Sequence, residues 1–255
     1  MRKPLKHLSG CSKHKYKSNK TIAVGQKRLN NSKMQLSEHT LSQRESLSLK
    51  PSPVTLTGRY VRLEPLIIKR DALALWQISN GSEIKLGDTS FPAYDADEMI
   101  WRHLFDYPSQ SPEDMVNVLT KRVNLDRALC FCVFDQTLNH PIGVMNYVNN
   151  YPEHLRIEMG GIWFSPIARG GLSATEGIYL MLSHAFNIGY RRVEWKCDAL
   201  NKRSEKTALK IGFTYEGIQK NHMIVKDKNR DTKWFGICVE DWPTIKVQLE
   251  SRLYV

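Results

Sequence analysis

Arg191-Arg192-Val193-Glu194-Trp195-Lys196-Cys197-Asp198-Ala199-Leu200-Asn201-Lys202-Arg203-Ser204-Glu205-Lys206-Thr207-Ala208-Leu209-Lys210-Ile211-Gly212-Phe213 changes rhythm once, and that change sets the fold. Arg191–Cys197 reads as a strand, Asn201–Ile211 as a helix, and Gly212-Phe213 as its stop and the entry to another strand. Asn201 suits a helix N-cap, since its side-chain oxygen can accept an amide that the first turn leaves unpaired. Toward the N-terminus, Ser173–Ile188 carries Ile178, Leu180, Met181, Leu182, Ala185 and Phe186 in a helical pattern that ends at Gly189. Leu155–Phe164 before it reads as a strand. The back half is therefore β-α-β-α-β, which favours parallel or mixed pairing with a right-handed crossover.

The front half has a different order. Tyr60-Val61-Arg62-Leu63-Glu64-Pro65 alternates as a strand does, and Asp71–Ile78 has helical spacing. Pro92–Tyr107 is a weaker helical stretch, and Pro112–Asp126 a stronger one opened by Ser111-Pro112-Glu113-Asp114. A serine cap, a first-turn proline and acids in that turn are a good start signal. Ala128–Phe134, Ile142–Val148 and Leu155–Phe164 come next with short links, as in an antiparallel meander. A last hairpin is expected to turn at Asp227-Lys228-Asn229-Arg230-Asp231, and a short helix from Asp241 closes the chain. The fold class is α+β, mixed and α/β-like.

The 255 residues are 41% apolar and 25% charged, which excludes a wholly disordered chain. No apolar stretch approaches the ~18 residues that span a bilayer, so no membrane partner is expected. Of the net charge of +11, ten positive charges lie in residues 1–33, which hold no Asp or Glu, and the remainder carries +1. The basicity thus belongs to a tail, and no nucleic acid is expected for the folded body. Residues 1–54, rich in Lys, Ser, Asn and Gln, are expected to form a disordered tail, with one domain over 55–255. The tail lacks the apolar core of a secretory signal. An organellar presequence, a nucleic-acid arm and a start of translation at Met34 all stay open for it. Cys11, Cys130, Cys132, Cys197 and Cys238 show no C-x-x-C spacing, so reduced thiols in the cytoplasm are expected, and no metal site.

Between the first strand and the first helix of the back half lies Arg169-Gly170-Gly171, leading to the helix start at Ser173. It is either an ordinary connection or an anion-binding loop, because glycines admit close approach and helix starts offer unpaired amides. This loop, the Asn201-x-x-Ser204 helix running into Gly212-Phe213, and the adjoining Tyr215-Glu216-Gly217 together resemble the Gcn5-related N-acetyltransferase (GNAT) superfamily. Within it the chain resembles the RimJ/RimL-type branch, over roughly Thr57–Trp242. Arg230-Asp231-Thr232-Lys233-Trp234-Phe235 looks like a narrower subgroup still.

The resemblance implies a mostly antiparallel, twisted central sheet flanked by helices, whose fourth and fifth strands run parallel and splay apart. Here these are Leu155–Phe164 and Arg191–Cys197. It implies acetyl-CoA as co-substrate in the gap, with the pantetheine arm on the main chain of Ile162, Trp163 and Phe164 and on Asn201. The pyrophosphate would lie on Arg169, Gly170, Gly171, Leu172, Ser173 and Ala174. The sequence departs from the common R/Q-x-x-G-x-G/A pattern by placing Leu172 at the central glycine. Acetyl transfer from a thioester to an amine needs a neutral amine, a stabilised oxyanion and a proton for the departing thiolate. The resemblance gives the last role to Ser204, which could equally be an exposed first-turn residue.

Glu158 is the candidate base, on a strand flanking the gap between apolar Ile157 and Met159, where desolvation would favour its neutral form. It also fits a solvated outward carboxylate. His222, on a late strand, is the second candidate, since imidazole titrates near neutrality. Trp76, Phe91, Tyr94 and Trp101 crowd the early helices and are read as core before pocket. The implied acceptor is a protein N-terminus or a small amino compound, and the implied enzyme a monomer or homodimer. A catalytically idle acyl-CoA-binding or regulatory module is the alternative.

Overall fold

The structure, a computed structural model, describes residues 35–168 and 171–255. Helix α1, Glu38–Ser46, stands inside the segment expected to be disordered, capped where Ser37 Oγ accepts the Thr40 amide at 3.1 Å. Distant side chains hold the residues just beyond α1: Asn150 Nδ2 donates to Ser48 O and Leu49 O, and Lys50 Nζ donates to Val123 O at 2.7 Å. Ser37–Val255 forms one compact unit, so the boundary expected at residue 55 moves to 37. Composition hides this because α1 buries no residue and the anchoring bonds reach main-chain carbonyls. The ten basic residues of 1–33, and Cys11, lie outside the described residues.

The strands are β1 Leu56–Thr57, β2 Val61–Pro65, β3 Ile84–Leu86, β4 Thr89–Phe91, β5 Leu129–Asp135, β6 His140–Tyr151, β7 Arg156–Phe164, β8 Arg192–Asp198, β9 Thr214–Val225 and β10 Lys228–Cys238. The other helices are α2 Ile68–Gln77, α3 Pro112–Val123, α4 Ser173–Asn187, α5 Lys202–Ile211 and α6 Trp242–Tyr254. Eight strands form one sheet in the order β1-β2-β5-β6-β7-β8-β10-β9, antiparallel throughout except for the parallel pair β7–β8. The expected meander and β-α-β-α-β halves are both present. Ser111 Oγ caps α3 by accepting the Asp114 amide, as its start signal implies.

Strand parity places the core. Ile157 and Met159 of β7 share a face with Val193 and Trp195 of β8. Tyr147, paired with Met159, donates its hydroxyl to Met181 O of α4 on that face. α4 buries Ile178, Met181, Leu182, Ala185 and Phe186 there, each burial stabilising by about 1.5–3 kcal/mol for the larger side chains. Cys130, Cys132, Cys197 and Cys238 are free thiols, the first three buried.

Three local expectations change. Pro92–Tyr107 contains only a π-helical turn at Asp97–Trp101, preceded by the β3–β4 hairpin. Tertiary anchors decide this: Tyr94 N donates to Gly81 O, and the buried Trp101 indole donates to Ser79 O at 2.9 Å. Trp76, Phe91 and Tyr94 pack partly buried against the core that Trp101 joins, as expected. The last hairpin turns at Lys226-Asp227, both at positive φ (52° and 58°), so Asn229, Arg230 and Asp231 are strand residues. The closing helix runs 13 residues.

Arg62, and then Arg70, hold the Glu64 carboxyl below its ordinary 4.5. A depressed folded-state pKa adds stability above the unfolded value, and that stability is lost as pH falls through the folded one. Thermal melts below pH 4.5 should therefore show a shallower acid decline for Glu64→Gln than for the wild type; parallel declines would contradict the coupling.

Candidate active site

The β7–β8 ladder runs from Arg156–Arg192 to Met159–Trp195 and stops. β7 continues with β6 to Phe164, and β8 continues with β10 to Asp198. The two strands therefore part, opening a cleft of about 1210 Å³ onto which Ile162, Trp163, Phe164, Asn201 and Ser204 all face. A bulge in β7 coincides with the parting. The register slips between Val144 and Asn146, Gly161 takes φ +58°, and Asn146 Nδ2 donates to Gly160 O and Gly161 O at 3.0 Å each. A Cβ on Gly161 would lie 2.8 Å from Arg122 Nη1 and 2.9 Å from the hydrogen-bonded Asn146 Nδ2, so a side chain would have to displace both as well as adopt a left-handed φ, and glycine is favoured.

At the cleft's loop end, α4 begins after Leu172, which supplies no side-chain cap. Its first amides keep the capacity to bind an anion, and Gly171 and Ala174 line the cleft beside them. Leu172 in place of a glycine leaves these main-chain donors in position. Arg169 and Gly170 lie outside the described residues.

α5 supplies the opposite wall. Asn201 Oδ1 accepts the Ser204 amide at 3.0 Å, the N-cap read from the sequence. Ser204 Oγ accepts the Trp195 indole N–H at 2.9 Å and sits beside the Cys197 thiol, whose pKa burial raises. Trp195 occupies one acceptor position of the hydroxyl, whose proton can be directed to the Cys197 sulfur or into the cleft.

Glu158 faces the cleft, but its surroundings differ from those expected. Ile157 and Met159 point to the α4 face, and the carboxylate points to the other. There Oε2 is 2.6 Å from Lys196 Nζ and accepts Asn149 Nδ2 at 2.7 Å. Lys196 Nζ in turn lies 4.2 Å from the centre of the Trp234 ring. The buried carboxylate thus meets a cation and an amide in place of apolar side chains. Oε1 turns toward Gly160, where a Cβ would stand 3.1 Å away. Lys196 and Asn149 escaped the sequence reading because their contacts depend on register; parity within β8 was the available signal, since Lys196 shares a face with Glu194, the cross-strand partner of Glu158.

His222 is not brought to the cleft. Its ring packs against Trp234 at 5.8 Å, with Nδ1 buried and unpartnered among the described residues.

The family model for the acetyltransferase (GNAT) domain matches residues 82–214, just over half of the chain. The chain belongs to the GNAT acetyltransferase family. The crystal structure of a GCN5-related N-acetyltransferase from Brucella melitensis is 32% identical, with TM-score 0.71 over 79% of this chain and 86% of that one. A GNAT-family acetyltransferase from Bacillus anthracis shares the fold at 18% identity, TM-score 0.57, over 73% and 99% of the two chains. So does the Salmonella typhimurium acetyl transferase that modifies the N-terminal serine of ribosomal protein L7/L12, at 18% identity and TM-score 0.60 over 72% and 99%. No curated protein sequence matches the chain. GNAT enzymes take their acetyl group from acetyl-CoA; in this GNAT acetyltransferase a splayed strand pair and a helix start without a side-chain cap border the cleft. Among the described residues no helix is long and apolar enough to cross a membrane.

Proposed function

We propose that this acetyltransferase moves the acetyl group directly from acetyl-CoA to a primary amine, a peptide N-terminus or a small amino compound. One observation carries the reading. Glu158 and Ser204 reach the same cleft from opposite faces of the sheet, so an amine and a departing thiolate can be served from the two sides of one carbonyl. The amine nitrogen attacks the thioester carbon, the C–S bond breaks, and its electron pair leaves on sulfur. Glu158 Oε1 takes the proton shed by the ammonium, directly or through one water. An α-amine, with a pKa near ~8, is already partly neutral at physiological pH and needs only such a weak base. Ser204 donates a hydrogen bond to the sulfur as charge develops there. Main-chain groups of Ile162 and Phe164, on the β7 edge that β8 leaves, hold the pantetheine arm beside Trp163, whose own main chain stays paired with Val144 of β6, and the amides opening α4 hold the pyrophosphate. Asn201 keeps its Oδ1 on the helix cap and turns its amide N–H groups to the arm. Free buried thiols fit a reducing compartment such as the cytoplasm.

Thiol release from acetyl-CoA, followed across a panel of amines and short peptides beside thermal stabilisation by CoA, tests this. N-terminal serine peptides are a fitting first probe, given the Salmonella enzyme's acceptor. Stabilisation without turnover on any acceptor would replace the proposal with an acyl-CoA-binding module.

The two α5 residues should separate kinetically. Asn201→Ala is expected to raise the KM for acetyl-CoA about tenfold and to cost about 1 kcal/mol of stability through the lost cap. Ser204→Ala should instead lower kcat about tenfold with KM little changed. The reverse order would undo both roles.

A further inference from the structure

Four buried polar atoms without a protein partner among the described residues lie on the last hairpin: His222 Nδ1, Arg230 Nε, Thr232 Oγ1 and Trp234 Nε1. Arg230 and Thr232 line the cleft, as does Asn146, whose Oδ1 is also unpartnered. Thr232 is only 1% exposed, so water does not readily stand in for its missing partner. No carboxylate among the described residues pairs with the Arg230 guanidinium, which lies 5.0 Å above the Phe105 ring. The nearest acids are committed elsewhere: Asp198 to His103 Nδ1 and the Leu200 amide, Glu158 to Lys196 and Asn149. Arginine has donors only and stays charged, so an unpaired, partly buried guanidinium awaits an anion.

The Arg-Asp-Thr run builds this arrangement. Asp231 Oδ1 accepts the Asn221 amide at 2.8 Å and Asn229 Nδ2 at 3.0 Å. That pins the irregular pairing between Arg230 and Thr232, with Asn221 at φ +51°. Asp231 grips the neighbouring strand while the residues on either side face the cleft.

The sheet's faces decide which substrate carries the anion. Thr232 pairs with Asp198, and Trp234 with Lys196, so these residues share the face of Lys196 and Glu158. Ser204 and α5 lie across the sheet. We propose that Arg230 and Thr232 form a carboxylate subsite for the acceptor, so that preferred acceptors carry a carboxylate close to the reacting amine. This rests on the amine-transfer reading above. Free amino acids and peptides beginning with Asp or Glu share that chemistry.

Matched acceptor pairs test it in the full chain with acetyl-CoA: an amino acid against its carboxamide, and a peptide starting with Glu against one starting with Gln. The carboxylate member of at least one pair should show tenfold or greater kcat/KM, and the pair that responds identifies the source. Arg230→Gln should bring that ratio near one and Thr232→Val should reduce it severalfold, with acetyl-CoA affinity retained as the check on folding. Arg230→Lys should keep part of the ratio. Equal rates within both pairs in the wild type, or a ratio unmoved by Arg230→Gln, overturn the subsite and leave amine transfer standing. Transfer to none of the four acceptors, with acetyl-CoA still bound, overturns the amine-transfer reading and the subsite with it.

Discussion

Glu158→Gln is expected to lower kcat/KM for the acceptor about 100-fold at neutral pH while acetyl-CoA affinity stays within about threefold, the low end of what a positioned proton acceptor contributes. The substitution is nearly isosteric, and its direction of failure is set by the existing contacts. Lys196 Nζ forms an ion pair with Oε2 and Asn149 Nδ2 donates to the same oxygen. A glutamine must keep its oxygen there, because turning its NH₂ toward two donors would leave all three unpaired. The NH₂ then occupies the place of Oε1, where a proton has to be accepted, and presents a donor. The deficit should shrink as pH rises past the pKa of the acceptor amine, since solvent then supplies the neutral nucleophile. Steady-state rates from pH 6 to 10 would show this. A deficit constant across that range would make Glu158 a structural partner of Lys196 and remove it from catalysis.

The parts of this site differ in how far one strand or helix specifies them. The α5 cap and stop were legible, because Asn201, Ser204 and Gly212 interact within a few residues of one another. That Glu158 and Met159 face opposite ways follows from parity alone, and so does half of the site. What Glu158 meets there was not legible, since Lys196 arrives through a parallel pairing whose register no local pattern reveals. Arg230 was hidden differently. Asp227–Asp231 is a polar run that composition reads as a turn, yet the hairpin reverses at Lys226-Asp227, Asn229 and Arg230 pair with Ile224 and Met223, and Asp231 sits at the irregularity that its own bonds pin. His222 failed for the converse reason: a titratable residue on the right strand can still pack against Trp234 instead of the cleft. Glycine pairs carried mixed information. Gly160-Gly161, within the stretch Leu155–Phe164 read as a strand, sit where β7 bulges as its ladder with β8 ends.

The same limit applies to stability, and Glu176 shows it most sharply. On sequence it is an ordinary first-turn acid of a helix, favourable there through the dipole. In the fold it is fully buried and accepts the main-chain amides of Arg59, Tyr60 and Val61 at 2.7–2.8 Å and the Tyr254 hydroxyl at 2.9 Å. One carboxylate thus ties the turn between β1 and β2 and the end of α6 to the start of α4, the helix that opens beside the cleft. Glu176→Ala leaves these donors unpaired in a dry site and should cost about 3–5 kcal/mol, lowering Tm by roughly 6–20 °C for a domain of this size. Glu176→Gln should rescue only part of it, because on either side its NH₂ meets at least one main-chain N–H that cannot accept, and only the Tyr254 hydroxyl can turn to receive it. Differential scanning calorimetry of the two variants decides the matter. A glutamine variant as stable as the wild type would show that the pocket holds a neutral acceptor as readily as a charged one, and the carboxylate would then not be what locks α4 in place.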